Sequence, residues 1–241
     1  MTNIDPNLLF FGNWVDASSR IEDIEKFLQQ TASAYQRELA WLEEEGHVDP
    51  DIEFVPLFAE TLPPILYMSV VIAAASVLEQ ELRGISQALR DTLKLPLSFN
   101  DIAGSLIERF RKYAVGLAGL PVGLQESDWQ DILAVYEIRN CLVHAGGDLH
   151  AFAKADVIRA FAQRRQLAMC RDERIGLEDA TAKTIARVIY AFLEGVYEAA
   201  LVKFPGHYGR RKRQREANND TEPRSAADWG ALADRLPAAD P

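Results

Sequence analysis

Apolar residues recur at intervals of three and four positions over most of this chain, and this spacing is typical of amphipathic α-helices. Residues 17–46 show it first, and Gly46 is expected to end that helix. A second helix is predicted over residues 64–93. It follows Pro63 and Pro64, which suit a helix start because the N–H that proline lacks would have no partner there. Its first half is apolar nearly all round, so we expect it to be the most buried segment of the fold.

Two capping patterns predict where the next helices begin. Ser98 is followed three residues later by Asp101, which is the spacing of a capping box, and it predicts a helix that runs to about Leu117. Ser127 and Gln130 have the same spacing and predict the start of another helix. The run GLAGLPVG between them is expected to separate the two elements.

The remainder of the ordered chain is also predicted to be mainly helical. The pair Gly146 and Gly147 is expected to end the helix that begins near residue 127. Beyond it, the sequence predicts a helix over 149–165, a small β-hairpin within 167–177 and a last helix over 178–203. The predicted fold is therefore an all-α, up-and-down helical bundle with a long N-terminal helix and one hairpin.

The composition changes after residue 205. Residues 1–205 are predicted to form one helical domain, whereas residues 206–241 are polar, charged and small with almost no periodicity, which is typical of a disordered tail. A basic run in this tail, followed by mixed charges, is either a solubilising linker or a weak nucleic-acid-binding candidate. Its cations are Arg210, Arg211, Lys212, Arg213 and Arg215.

The overall charge restricts how a polyanion could bind. The formal net charge is -10, with 36 acidic against 26 basic side chains. Phosphate contacts ordinarily need a basic surface. A nucleic acid would therefore have to meet a local basic site, either the run in the tail or a cluster around Arg139.

Cysteine usage and hydropathy indicate a soluble, cytoplasmic protein. Cys141 and Cys170 are the only cysteines, and they have neither the spacing of a zinc site nor that of a disulfide framework. The N-terminus has no basic region ahead of an apolar run, so no secretory signal is predicted. The longest apolar run, residues 65–78, is shorter than the roughly twenty residues that a membrane-spanning helix needs. We expect no membrane association.

The segment EIRNCLVHAGG, residues 137–147, is the best candidate for a functional site. On a helix with about 100° between residues, Asn140 and His144 project from the same side, and Arg139 lies next to them. Arg139 also occupies a position where the apolar pattern predicts a partly buried side chain. Its guanidinium therefore needs a carboxylate, a carbonyl or a ligand phosphate.

Each of these three residues has a structural interpretation. Arg139 is explained by an ion pair with Glu79 or Glu81 of the early apolar helix, and Glu79 could also orient the arginine in a site. Asn140 is explained by a hydrogen bond at the helix end or by one between helices. His144 is explained as a cation that the dipole favours at the C-terminus of a helix.

The functional interpretation is cleavage of a phosphodiester bond in RNA without a metal ion or any other cofactor. An imidazole exchanges a proton near neutral pH, and a guanidinium offers a permanently charged, forked donor for the extra charge on a five-coordinate phosphorus. An amide can hold a phosphate oxygen or fix the imidazole. The nucleophile would be the 2′-hydroxyl group of the substrate itself.

The pattern R-N-x-x-x-H near the end of a late helix resembles the HEPN domain family (higher eukaryotes and prokaryotes nucleotide-binding), and Arg139, Asn140 and His144 carry this resemblance. SVVIAAASVLEQELRGI looks like the early helix of the family, and RDERIGLEDATAKTIARVIYAFLE resembles its hairpin and closing helix. The resemblance covers roughly residues 60–205. One subgroup has a modified tyrosine two positions after the histidine; this chain has Gly146 there, so that form of regulation is not expected.

The resemblance implies a metal-independent endoribonuclease that acts as a homodimer, with two motif helices facing each other to form one composite site. The family includes toxins of toxin–antitoxin pairs, anti-phage effectors and RNA-processing enzymes, so an antitoxin or a defence-system protein is an expected partner. Other members are binding modules without catalysis. A dimeric scaffold for a protein or nucleotide is therefore the alternative.

Overall fold

Helices dominate residues 5–44, 54–171 and 173–206, which are the residues that this computed structural model describes. The prediction of an all-α fold is confirmed. The α-helices are α1 (Pro6–Glu44), α2 (Phe54–Pro56), α3 (Leu62–Leu93), α4 (Leu106–Arg111), α5 (Glu126–Ala145), α6 (Ala155–Arg165) and α7 (Asp179–Lys203). Phe99–Asp101 forms a 3-10 turn, and Leu57–Thr61 and Lys112–Leu117 are π-helical. Two short strands, β1 (Cys170–Arg171) and β2 (Arg174–Ile175), form the predicted hairpin.

Helix α1 begins at Pro6 and not near residue 17, so the predicted start was wrong. The added segment continues the buried stripe of the helix, because Phe10, Trp14 and Ala17 recur at helical spacing and are all buried. The predicted end at Gly46 lies outside the described residues. The bounds of helix α3 match the prediction closely, with a proline in its first turn. The expectation that its first half would be the most buried segment was wrong, because Ile65, Ser69 and Ala73 are exposed and only one face of this half is buried.

Helices α1, α3 and α7 pack together. Helices α1 and α7 are antiparallel, since Phe10 near the start of α1 stacks on Phe204 just after α7, and Trp14 contacts Tyr197. A buried carboxylate joins all three helices: Glu81 of α3 accepts hydrogen bonds from the guanidinium of Arg20 and from the hydroxyl of Tyr197. Burial and this carboxylate hold the pKa of Tyr197 well above its ordinary value.

Helix α5 is fixed against the same core by an aromatic cluster. The indole of Trp129 lies edge-on to the ring of Phe192 in α7, with centroids 5.1 Å apart, and it also contacts Phe110 of α4. Helix α6 is attached to α5 through the buried carboxylate of Asp131, which accepts hydrogen bonds from Arg164 and Arg165. The polar face of α5 that carries the candidate residues is thereby held in a fixed orientation.

The predicted capping box at Ser98 and Asp101 forms, but it opens only the 3-10 turn. The chain then becomes extended at Ile102, and α4 starts one turn later with its own capping box, Ser105 and Glu108. The prediction of one continuous helix was wrong because both serines have the same local signal. The predicted end at Leu117 agrees with the end of the π-helical turn.

Two further helix starts differ from the prediction. Helix α5 begins after Gln125, whose backbone N–H donates to the carboxylate of Asp128 at 2.8 Å; Ser127 does not cap it. Helix α6 begins at Ala155 and not at residue 149. The carboxylate of Asp148 accepts hydrogen bonds from the backbone N–H groups of His150 and Ala151, and these bonds form a turn where the helix was expected to start. The predicted end of α5 at Gly146 is confirmed, with φ at 58°.

One helical stretch, Leu57–Leu93, is long and apolar enough to cross a membrane by length and composition alone. Its mean hydropathy reaches 1.9, and 39% of that apolar window is buried. The stretch includes the fourteen-residue run that appeared too short in the sequence. The buried part packs within the core with α1 and α7, whereas the larger share of the window is not buried. The expected cytoplasmic location therefore stays a prediction.

Candidate functional site

The candidate residues lie on the outer face of α5. Measured on an ideal helix, Arg139, Asn140 and His144 fall within an arc of about 140°, and Val143 lies between them. Arg139 and Asn140 are half-buried, while His144 and Val143 are exposed. The opposite face carries the core residues Trp129, Ile132, Val135, Ile138, Cys141 and Leu142. The packing of α5 therefore leaves all three candidate side chains accessible.

Arg139 is held by its neighbour Asn140. Its Nη1 atom donates a hydrogen bond of 3.1 Å to Oδ1 of Asn140, and no carboxylate among the described residues pairs with this guanidinium. An amide oxygen orients an arginine without cancelling its charge. The positive charge of Arg139 is therefore available to an anion at the surface.

A buried acidic residue holds Asn140 in turn. The Nδ2 atom of Asn140 donates to Oε2 of Glu137 at 3.4 Å, and Oε1 of Glu137 accepts a hydrogen bond of 2.6 Å from the ammonium of Lys154. The side chain of Glu137 is only 4% exposed, whereas that of Lys154 is half exposed. Neither residue was predicted from the sequence. The sequence offers one indication of this contact: Glu137 precedes Asn140 by three positions, so the two side chains are one helical turn apart.

The expected ion pair between Arg139 and Glu79 does not form. Glu79 accepts two hydrogen bonds from Arg83, which lies one turn further along α3. Glu81, the other expected partner, is occupied by Arg20 and Tyr197 in the core. Arg83 lies four residues after Glu79 on the same helix, so the two side chains meet as soon as the helix forms. Arg83 therefore pairs with the carboxylate that was expected to pair with Arg139. Among the described residues Glu79 forms no hydrogen bond with Arg139, and its supporting role stays a prediction.

His144 occupies the last turn of α5 and is exposed. Among the residues that the structure describes, none forms a hydrogen bond or an ion pair with its imidazole. The helix ends immediately after it, because Gly146 and Gly147 adopt φ values of 58° and 80°, which other residues rarely reach. Both ring nitrogens are thus free to contact a molecule that approaches the end of the helix.

Apolar side chains accompany the polar ones on this face. Leu133 and Tyr136 are partly buried, and Val143 is 45% exposed although it lies between Arg139 and His144 in space. A single exposed aliphatic group is common on protein surfaces, but here it places an apolar contact directly beside a charged one. The face can therefore contact a protein as well as an anion.

Cysteine and metal chemistry receive no support from the geometry. Cys141 lies on the buried side of α5, and burial raises the pKa of its thiol, which disfavours the nucleophilic thiolate. Within the described ranges, no group of three or more histidine, cysteine, aspartate or glutamate residues is arranged to hold a metal ion. The basic residues Arg210, Arg211, Lys212, Arg213 and Arg215 lie outside the described residues.

No family model matches the chain, and neither the curated proteins nor the solved structures contain a significantly similar protein.

Proposed function

We propose that this protein is a metal-independent endoribonuclease whose active site combines residues of two identical subunits. The observation that carries the proposal is the state of Arg139, which is half-buried, held by an amide and without a carboxylate partner among the described residues. Keeping a guanidinium partly dehydrated and unpaired is costly unless an anion binds it. Arg139, Asn140 and His144 resemble the HEPN motif, and from this resemblance we infer that the anion is a phosphate group of RNA.

The chemistry requires one proton transfer and one charged donor. His144 removes the proton from the 2′-hydroxyl group, the resulting oxygen attacks the adjacent phosphorus, and the bond to the 5′-oxygen breaks. The proton returns from an imidazole to the leaving 5′-oxygen. Arg139 stabilises the negative charge that builds up on the phosphoryl oxygens, and Asn140 keeps Arg139 in position. The products are a 2′,3′-cyclic phosphate and a free 5′-hydroxyl group.

A single subunit presents these groups poorly to one phosphate. Arg139 and His144 are five residues apart, so on an ideal helix they diverge by about 140° and lie about 7.5 Å apart along the axis. A second copy of α5, packed antiparallel on Leu133, Tyr136 and Val143, would bring the arginine of one subunit near the histidine of the other. The exposed Val143 and the partly buried Leu133 and Tyr136 support such a homodimer by offering a second copy an apolar contact.

The test is cleavage of single-stranded RNA in the presence of EDTA. We expect cleavage that leaves a cyclic phosphate and that falls at least 100-fold for His144→Ala and for Arg139→Ala. His150→Ala and Arg187→Ala are matched controls, because both residues are exposed and lie off the α5 face. Cleavage that needs a metal ion, or that survives both site substitutions, would contradict the proposal.

A mixing experiment tests the composite site. Neither His144→Ala nor Arg139→Ala should cleave alone, but exchange of subunits between them creates a heterodimer with one intact arginine and one intact histidine. We expect the mixture to regain part of the activity.

The resemblance suggests that the nuclease acts as a toxin or as an anti-phage effector. This biological role is tested by comparing cell growth during expression of the wild type and of His144→Ala.

A dimeric binding module without catalysis is the second candidate. The acidic balance of the chain favours it, because a net charge of -10 repels RNA outside the immediate site. In that case Arg139 and His144 would stabilise the dimer or bind a nucleotide. Substituting both should then weaken the dimer, and no condition should yield cleavage of RNA.

A further inference from the structure

The hairpin brings a second arginine to the C-terminal end of α5. Arg174 of β2 is exposed, and its Nη2 atom donates a hydrogen bond of 3.2 Å to the carbonyl oxygen of Gly146, two residues beyond His144. Backbone hydrogen bonds fix the hairpin to the same segment: Ile175 donates to Gly147, and Leu149 donates to Glu173. The base of the Arg174 side chain is therefore held rigidly beside the candidate site.

Two described acidic neighbours of Arg174 are engaged elsewhere. Glu173, its neighbour in the chain, forms an ion pair with Arg159 of α6. Asp148, which faces Arg174 across a β-bridge, accepts backbone hydrogen bonds from His150 and Ala151. No carboxylate in the described part of the chain pairs with Arg174. Its only acceptor there is a neutral carbonyl group, so no carboxylate in the described ranges cancels its charge.

This charge lies where a phosphate group would otherwise be repelled. The last carbonyl groups of a helix carry a partial negative charge, and His144 lies in the last turn of α5. A guanidinium bonded to the carbonyl of Gly146 opposes this partial negative charge at the end of the helix. Arginine also matches the geometry of a phosphate because it donates two parallel hydrogen bonds.

We propose that Arg174 is a substrate-binding residue that holds a phosphate group of the RNA next to the one that is cleaved. This inference rests on the proposed nuclease function and adds a second contact to the same site. Arg139 acts on the reacting phosphate, whereas Arg174 fixes the neighbouring one and so sets the register of the strand. It contributes to KM and to the salt dependence of binding more than to kcat.

The experiment measures binding of a fluorescent single-stranded RNA over a range of salt concentrations, in a His144→Ala background that prevents cleavage. Arg174→Gln keeps a polar side chain but has no charge, and we expect it to weaken binding about tenfold at low salt. The slope of log K against log salt should become shallower by about 0.7, the contribution of one phosphate contact to a single strand. Arg174→Lys should keep most of the slope.

Arg187→Gln is the matched control. This arginine of α7 is exposed and lines a surface groove with Glu22 and Glu25, so its loss should not weaken binding. An NMR measurement on the Arg174 side chain itself tests the inference even if Arg174→Gln does not fold. In the His144→Ala protein, the Nε–H resonance of Arg174 should shift during titration with the same RNA.

Two outcomes separate this inference from the proposed function. If the wild type cleaves RNA while Arg174→Gln keeps the parental salt slope, or while the Arg174 resonance does not move, this inference is overturned and the nuclease function stands. If the protein neither binds nor cleaves RNA, both are overturned. A shallower slope for Arg174→Gln together with an unchanged slope for Arg187→Gln supports the assignment.

Discussion

The guanidinium of Arg139 donates a hydrogen bond of 3.1 Å to the side-chain amide of Asn140, the next residue in the chain. This contact makes Asn140 a positioning residue, whose amide is held on its other side by Glu137. An arginine fixed by a neutral acceptor is oriented without losing its charge.

Asn140→Ala should slow RNA cleavage about 10- to 100-fold, because Arg139 loses the acceptor that orients it. The change should appear in kcat rather than in KM, since the charge of Arg139 is still present. Gln130→Ala, an exposed position on the same helix, is the control and should cleave normally. Equal rates for both variants would argue against a positioning role for Asn140.

Lys154→Met should lower the free energy of unfolding by about 2–4 kcal/mol, because it leaves the buried carboxylate of Glu137 without a cation. Chemical denaturation measures this loss. Adding Glu137→Gln to Lys154→Met should restore part of the stability, since the amide needs no countercharge. Lys183→Met is a control in a more exposed pair with Asp179 and should cost less than about 1 kcal/mol.

Asp131→Asn should destabilise the protein by about 2 kcal/mol. This carboxylate is 4% exposed and binds two arginines of α6, whose own partial exposure limits the cost of losing their partner. Asp156→Asn is the matched comparison, because Asp156 is fully exposed and pairs with Arg159 on the same helix. It should change the thermal midpoint little, and similar losses for both variants would contradict the difference in burial.

The stability of the α4 start should depend on pH. Hydrogen bonds from the backbone and side chain of Ser105 lower the pKa of Glu108, and those from Ser98 lower the pKa of Asp101. Because each pKa is lower in the folded state, the contribution is complete above the unfolded pKa and is lost as pH falls through the folded value. Ser105→Ala should cost about 1 kcal/mol at pH 7 and less at pH 3. Denaturation at both pH values checks this difference.

Val143→Asp should prevent dimer formation if α5 is the shared interface. A carboxylate placed in a packed apolar contact is costly, so the dissociation constant should rise at least tenfold. Sedimentation measures the oligomeric state, and RNA cleavage should fall in parallel. Val202→Asp is the control, because Val202 is also exposed but lies on α7. A dimer that tolerates Val143→Asp would place the interface elsewhere.

Much of the helical framework could be predicted because its signal is local. The apolar spacing along α3 and α7 and the glycines at the end of α5 are properties of neighbouring residues, and these elements appear where they were expected. The errors occur at helix starts. Ser98 and Ser105 have equivalent capping patterns, and nothing in the local sequence decides which of them opens the longer helix.

The motif residues Arg139, Asn140 and His144 were found from the sequence alone, since their spacing on one helix already places them on one face. Their partners were not. Glu79 pairs with Arg83, while Glu137, Lys154 and Arg174 surround the motif instead. The burial of Glu137 could not be predicted, because an acidic residue on a helix is usually solvated.

The sequence by itself determined which segments become helices and which side chains share the outer face of α5, because both follow from the fixed rotation between successive residues. Only the tertiary structure decided which charges are compensated. Folding brings Lys154 to the buried carboxylate of Glu137 and carries Arg174 to the end of α5, whereas it leaves Arg139 with an amide. Such pairings depend on distances between segments that are remote in the chain, and no local pattern encodes them.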